Sequence, residues 1–389
     1  MKATITGIGM SKVARSQHRP AIHLLADAAL EAMADAGLTR ADIDGIATYP
    51  GKMSGGSPGM SPLGVGDVRN GLGLSTRWHS STPEGPAQAS AIMVAAMAVA
   101  TGQARHVLCF RALTESSSQT ADRRASVPTA GGARIDGWPS WLLPMQAMSA
   151  ANWTALVAAR YFHEFGLTRE HLGTLAVNQR ANAQLNPRAL MHGKPLSMED
   201  YLAARMISSP LCLFDCDVPV DGAACIIVSA PDAARDTRKT PLRIEAMGAA
   251  MGPVETWDQQ PDVTQMAAHD AGRDLWTRTD YKPDDVDVLA LYDGFSILTA
   301  MWLEALGFCG HGEVPGFIAD GNTRLDGRFP LNTGGGQLSA GRLHGFGHLH
   351  EACTQLWGEA GDRQVKDARL ATVAMGGGPL AGCLLVARD

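Results

Sequence analysis

The sequence predicts an α/β protein made of two copies of one unit, the first copy carrying a long insertion. Three observations lead there. A run of helix, acidic turn and short strand occurs twice in the chain. Three further strand pairs repeat in the same order. And about a hundred extra residues separate the last two strands of the first copy.

The chain opens on "MKATITGIGMSK", an apolar strand running into a glycine turn rather than a targeting segment. Residues 24–51, "LLADAALEAMADAGLTRADIDGIATYPG", place Ala and Leu at helical spacing, then an acidic turn, then a short strand. Residues 266–294, "MAAHDAGRDLWTRTDYKPDDVDVLALYDG", follow the same plan. Gly37–Gly51 overlays Asp280–Gly294 without a gap, so Asp44 falls on Asp287, Tyr49 on Tyr292 and Gly51 on Gly294. "TITGIGMS" (4–11) answers to "RIEAMGAA" (243–250), "GQARHVLCF" (102–110) to "KDARLATVA" (366–374), and "AACIIVSA" (223–230) to "AGCLLVAR" (381–388). Chance likeness of Ala-rich helices explains one such pair, not four in one order. Each half therefore reads as a helix-covered sheet of short apolar strands.

The halves divide at 1–235 and 240–389, with a loop domain at about 113–215 inserted in the first. Its start, "SSSQTADRRASVPTAGGARIDGWPSWLLP", is rich in Gly, Ser and Pro and reads as loop. "SAANWTALVAARYFHEFG" reads as a helix stopped by Gly166. An insertion of this size suits a lid or ligand platform. Trp138, Trp141, Leu142, Leu143, Met145 and Met148 are either ordinary loop packing or the wall of an apolar site.

Composition narrows the function. Apolar residues make 45% of 389 and charged residues 19%, a globular balance. A net charge of −6 gives no reason to expect nucleic acid or an anionic membrane as partner. No apolar run reaches the roughly 18 residues of a membrane span. Seven cysteines without a signal segment fit a cytoplasmic location. Cys212 and Cys216 lack the second pair a zinc site needs, and no metal is expected.

Further segments carry a family likeness. "PLCLFDCDVPVDGA" (210–223), "GFCGHGE" (307–313), "PLNTGGG" (330–336) and the terminal "AMGGGP" (374–379) resemble the sterol-carrier-protein type of thiolase. The resemblance spans nearly the whole chain. It implies a thiolase fold, two duplicated βαβαβαββ halves in a layered αβαβα arrangement with an inserted loop domain.

The departures from that family decide the chemistry. A thiolase nucleophile is a cysteine at the start of a buried helix, where the positive helix end lowers its pKa. The matching stretch, "WHSSTPEGPAQASAIMVAAMAVATG" (78–102), has no cysteine, and Ser80, Ser81 or Thr82 takes the place according to alignment. The family's catalytic loop pair falls on Tyr292 and its activating histidine on Arg342. Its second cysteine falls on Ala374 or Met375. Acyl-cysteine chemistry is thereby excluded. Ser81 as a substitute nucleophile would need a base in reach, His79 or His344.

The "YDGF" loop resembles instead the steroid side-chain-degrading, lipid-transfer-protein-like aldolases, which lack the thiolase cysteines. That resemblance implies retro-aldol cleavage of a β-hydroxyacyl-CoA, releasing a ketone and propionyl-CoA or acetyl-CoA with no covalent acyl-enzyme. The expected catalytic residues are Tyr292, His344, Asp293 and Arg342. Arg342 or His344 would lower the Tyr292 pKa, and His344 would stand in for a second acid–base group where some relatives carry tyrosine and this chain has Phe346. Ser81, Thr82, Gly85, His348, Gly377 and Phe346 are expected to bind substrate. Arg123, Arg124, Arg134 and Lys194 are candidates for the CoA phosphates. No cofactor is expected, CoA being part of the substrate. The resemblance also implies a homodimer through the strand after the nucleophile position. A small partner of zinc-ribbon and oligosaccharide-binding fold would complete a heterotetramer. Two rivals stay open: an acyltransferase using Ser or Thr, and a non-catalytic lipid or acyl-CoA carrier.

Overall fold

Eleven strands organise the described part of the chain: β1 Thr4–Met10, β2 Gly45–Thr48, β3 Trp78–Ser81, β4 His106–Thr114, β5 Met206–Ser208, β6 Leu211–Cys212, β7 Asp221–Ser229, β8 Leu242–Met251, β9 Val288–Ala290, β10 Leu370–Gly376 and β11 Leu380–Ala387. The structure is a computed structural model that describes residues 3–52, 57–81, 85–119, 137, 139–147 and 149–389. Nine strands form one sheet in the order β3-β2-β4-β7-β1-β8-β11-β10-β9, and β5 pairs with β6 apart from it.

That order mirrors the sequence repeat. β2, β4, β7 and β1 on one side correspond to β9, β10, β11 and β8 on the other. The halves meet where β1 and β8 pair antiparallel, Thr4 with Arg243 and Ile5 with Leu242. Each half joins a parallel pair, β2 with β4 or β9 with β10, to antiparallel neighbours. Equivalent residues do equivalent work. Asp44 accepts the backbone N–H of Arg105 (2.9 Å) and His106 (3.0 Å), tying the turn before β2 to the start of β4. Asp287 accepts those of Arg369 (2.8 Å) and Leu370 (2.9 Å) between β9 and β10. Gly9 and Gly248 let the outer helices Ala21–Ala36 and Ala267–Trp276 settle on the sheet. A Cβ would lie 2.1 Å from the Ala28 carbonyl in one case and 2.0 Å from that of Ala271 in the other.

Two inner helices, Ser90–Ala100 and Phe346–Leu356, share one apolar core with strands of both halves. "SAIMVAAMAVA" is apolar on nearly every side, as a helix enclosed between the two halves of the sheet must be. Counted through the two halves of this one sheet, the layers run helix, half-sheet, helix, half-sheet, helix.

Within the insertion, Gly166 ends the helix Ala150–Phe165 in a left-handed conformation (φ 68°). The helix Arg169–Gln184 follows. Both lean on the second half. Tyr161 hydrogen-bonds Glu304, Asn182 Nδ2 donates to the Leu331 carbonyl (3.0 Å), and buried Asp215 accepts from Tyr201 (2.7 Å) and Ser296 (2.5 Å). The segment leading into β7 is thereby pinned beside the loop that follows β9. Of the apolar run at 138–148, Leu142 is buried while Trp141 and Met145 are exposed, and Trp138 and Met148 lie outside the described residues.

Candidate active site

β9 delivers Tyr292 and Asp293 to a loop ahead of the helix Ser296–Ala305. Gly294 is required there by a close approach: a Cβ would lie 2.7 Å from the Tyr292 ring, which folds back over its own loop. Asp293 is fully buried. Its carboxylate accepts the backbone N–H groups of Gln337 (2.9 Å) and Leu338 (3.1 Å) in the π-helical turn Gly336–Ala340. His348 Nε2 lies 2.8 Å from Asp293 Oδ1, at an angle that makes no hydrogen bond. Gly336, at φ +59°, leaves room for that carboxylate, because a Cβ would fall 2.1 Å from Asp293 Oδ2. Asp293 thus locks two loops together and is a positioning residue.

Around Tyr292 lies a buried charge network drawn from distant parts of the chain. Arg342 donates through Nε to Glu115 (2.9 Å) and through Nη1 to Asp217 (3.0 Å). Arg111, near the end of β4, donates to the Met60 carbonyl (2.6 Å), Ser61 Oγ (3.1 Å) and His344 Nδ1 (2.9 Å). A guanidinium only donates, so His344 Nδ1 accepts and its proton sits on Nε2. Burial, with Arg111 and Arg342 nearby, holds His344 neutral well below the ordinary 6.5. Neutral, with its proton on Nε2, His344 presents a hydrogen-bond donor.

Tyr292 departs from expectation. Burial pushes its phenol well above the ordinary 10, and Asp217 adds to this. Arg342 and the Gln337 side chain pull the other way without reversing it. Tyr292 stays protonated and can give a proton or hold an oxygen. Arg342 opposes burial by its two carboxylates and keeps its charge. Burial raises Asp217 to about 7, with Arg342 pulling it down and Glu115 and Asp293 pushing it up. Arg111 feels both Tyr292 and Tyr49, the two repeat-related tyrosines.

The remaining candidates scatter. The buried inner helix begins at Ala87–Ser90, not at the serines. Ser80 and Ser81 lie before it in β3, and Ser81 is exposed on this edge strand; Thr82 is outside the described residues. Ala87 occupies the turn into the helix, at φ 48°, and Ser90 opens the helix as a buried residue. The hairpin carrying Gly377 closes against it, since a Cβ on Gly376 would meet the Ala87 methyl at 2.4 Å. Gly85 adjoins Ser90 and Tyr49. Phe346 is a wholly buried core residue rather than a pocket wall. His348 is buried and its ring centre is 6.3 Å from that of Tyr292. Arg123, Arg124 and Arg134 fall outside the described residues, and Lys194 is exposed.

Sequence reasoning missed Arg111, Glu115, Asp217 and Gln337. A usable signal existed for Arg111 and Asp217: an arginine inside the apolar strand "HVLCFRALT", and a second aspartate in "DCDVPVDGA". Among the described residues, His269, Glu304 and His311 come close enough to share a metal ion. The Glu304 carboxylate is already taken by Tyr161, the N–H of Gly312 (2.9 Å) and His311 Nδ1 (3.0 Å), which makes it the anchor of its loop.

Comparison with known proteins gives the family. Residues 251–385 match the family described as "Thiolase C-terminal domain-like". A "Steroid side-chain-cleaving aldolase" of Thermomonospora curvata is 34% identical over 98% of this chain and 97% of its own. A "17-hydroxy-3-oxo-4-pregnene-20-carboxyl-CoA lyase" of Mycobacterium tuberculosis is 34% identical over 99% of both. The chain belongs to the thiolase superfamily, in the branch of the steroid side-chain-cleaving aldolases. Among solved structures, the "Ltp2-ChsH2(DUF35) aldolase" superposes with a TM-score of 0.88 at 32% identity, over 100% of this chain and 98% of that one.

Proposed function

We propose that this chain is a carbon–carbon lyase that cleaves a β-hydroxyacyl-CoA side chain of a steroid or bile-acid intermediate by retro-aldol reaction. The observation that carries the reading is the protonated, partly buried Tyr292 beside a charge network, with no cysteine at the start of the inner helix. Such a reaction needs a base for the β-hydroxyl, donors for the thioester enolate and an acid for its carbon. His344 Nε2–H supplies a neutral donor. Tyr292 supplies the acid. No cofactor enters this scheme, and CoA arrives as part of the substrate.

The relatives' names support the steroid acyl-CoA class, and the two-component name of the solved aldolase supports a partner subunit. A small zinc-ribbon and oligosaccharide-binding-fold protein is the partner we propose, in a heterotetramer around a homodimer. The strand after the helix start, β4, is internal between β2 and β7; among the described residues the outer strands of the sheet are β3 and β9. Seven unpaired thiols support a cytoplasmic location. Among the described residues no helix is long and apolar enough to cross a membrane.

The test is incubation of a β-hydroxyacyl-CoA steroid with the chain, alone and with the partner, followed by product analysis and intact-protein mass. The reading predicts a steroid ketone and a shorter acyl-CoA with no mass added to the protein. A trapped acyl-enzyme would establish the acyltransferase rival, and intact bound substrate the carrier.

A further inference from the structure

We propose that Asp217 is the general base that takes the β-hydroxyl proton in this cleavage. The inference rests on the retro-aldol reading above. Cys216 bridges to Phe295, and the Asp217 N–H donates to the Gly294 carbonyl (3.1 Å), so Asp217 is held alongside the Tyr292 loop. Its side chain is 9% exposed, against 2% for Glu115, the other carboxylate on Arg342. Glu115 takes both the Nε and the Nη2 of Arg342, at 2.9 and 2.8 Å. Asp217 takes one bond, at Oδ1, from Nη1 (3.0 Å), and its Oδ2 makes no hydrogen bond among the described residues. One oxygen is tethered to a cation, which leaves the other to take a proton.

The groups facing Asp217 are Cys216 on its own segment, Tyr292 and Asp293 from the loop after β9, Arg342 from beyond the π-helical turn, and Glu115 from the end of β4. None of these is a better base. Asp293 is committed to two backbone N–H groups, Glu115 is doubly bonded to Arg342, and Tyr292 stays protonated. Burial lifts Asp217 to about 7, where it exchanges a proton near neutrality.

The step balances. Asp217 takes the proton of the β-hydroxyl, and the O–H electron pair becomes the new carbonyl bond of the ketone. The Cα–Cβ bond breaks and its pair moves to the thioester as the enolate. The Tyr292 hydroxyl then protonates Cα, giving the shorter acyl-CoA, and the proton on Asp217 returns to the phenolate.

The experiment is single-turnover cleavage of a β-hydroxyacyl-CoA steroid by wild type and Asp217→Asn across pH 5.5 to 9, in the complex if the partner is needed, beside acyl-CoA binding and melting temperature. The wild-type rate should rise with pH through about 7 and then level. Asp217→Asn should lose about two to four orders of magnitude and that pH limb, with binding retained. Cleavage by the variant within about tenfold of wild type, or an unaltered limb, would overturn the proposal. If the variant fails to fold, a wild-type rate that is flat across the range overturns it instead. Wild type that leaves the substrate intact defeats the retro-aldol reading itself, a result distinct from either.

Discussion

Single residues in this protein take their roles from partners far away in sequence. His344 is a donor because Arg111, 233 positions before it, occupies its Nδ1. Arg342 spends its charge on Glu115 and Asp217, from distant parts of the chain. Ser81 carries a hydroxyl yet sits exposed on the sheet edge. Changing Ser80, Ser81 and Thr82 together to Ala should leave turnover within about tenfold, since no covalent step is lost. Steady-state kinetics on the purified triple variant checks this, and a fall beyond about a thousandfold would return the acyl-enzyme. The candidate site was half legible in the sequence for the same reason. Tyr292 and Asp293 stand at the end of a strand that pattern alone reveals. Glu115, Arg111 and Asp217 become a site only when β4, the entry to β7 and the π-helical turn converge, and no local spacing records that convergence.

At the scale of elements the sequence was far more transparent. Strand and helix repeat because each half buries the same faces against the same neighbours, and the overlay of Asp44 on Asp287 turns out to be one shared device for holding parallel strands. Gly9 and Gly248 are a second such device. Gly248→Ala would force a methyl to within 2.0 Å of the Ala271 carbonyl, backbone that can yield only if the outer helix moves. The expected loss is about 1–3 kcal/mol or more, read by denaturant unfolding, and Gly9→Ala should cost a similar amount on the opposite side of the molecule. A neutral result at both would mean that the outer helices are not seated as described. The insertion was less legible, because its helices are fixed by the second half rather than by their own pattern: Asp215, Tyr161 and Asn182 all find their partners there or beside it.

Across the whole molecule, buried titratable groups set a pH profile. Burial lowers His269 to about 4 and His350 to about 3, and holds His344 well below 6.5. The unfolded chain binds protons on these rings from about 6.5 downward, and the folded chain does not. Their contribution to stability is therefore present above about 6.5 and lost as pH falls toward the folded values. Asp217, raised to about 7, and Asp215, also raised by burial, work in the opposite sense between their unfolded and folded values, while burial lowers His106 in the same sense as the other three rings. The melting temperature should drop steadily from pH 7 to about 4, and His350→Asn should flatten part of that slope in a scanning-calorimetry series. A profile that rises on acidification would contradict the burial of these rings.

The central claim is that the Tyr292 hydroxyl moves a proton rather than merely pinning its loop. Tyr292→Phe keeps the ring against Gly294 and removes only that hydroxyl. Single-turnover cleavage by this variant, measured beside its melting temperature, separates the two roles. The account predicts a loss of about two to four orders of magnitude in the chemical step, with acyl-CoA affinity and melting temperature close to wild type. Cleavage at the wild-type rate, with stability lowered by the roughly 0.5–1.5 kcal/mol of one hydrogen bond, would contradict it.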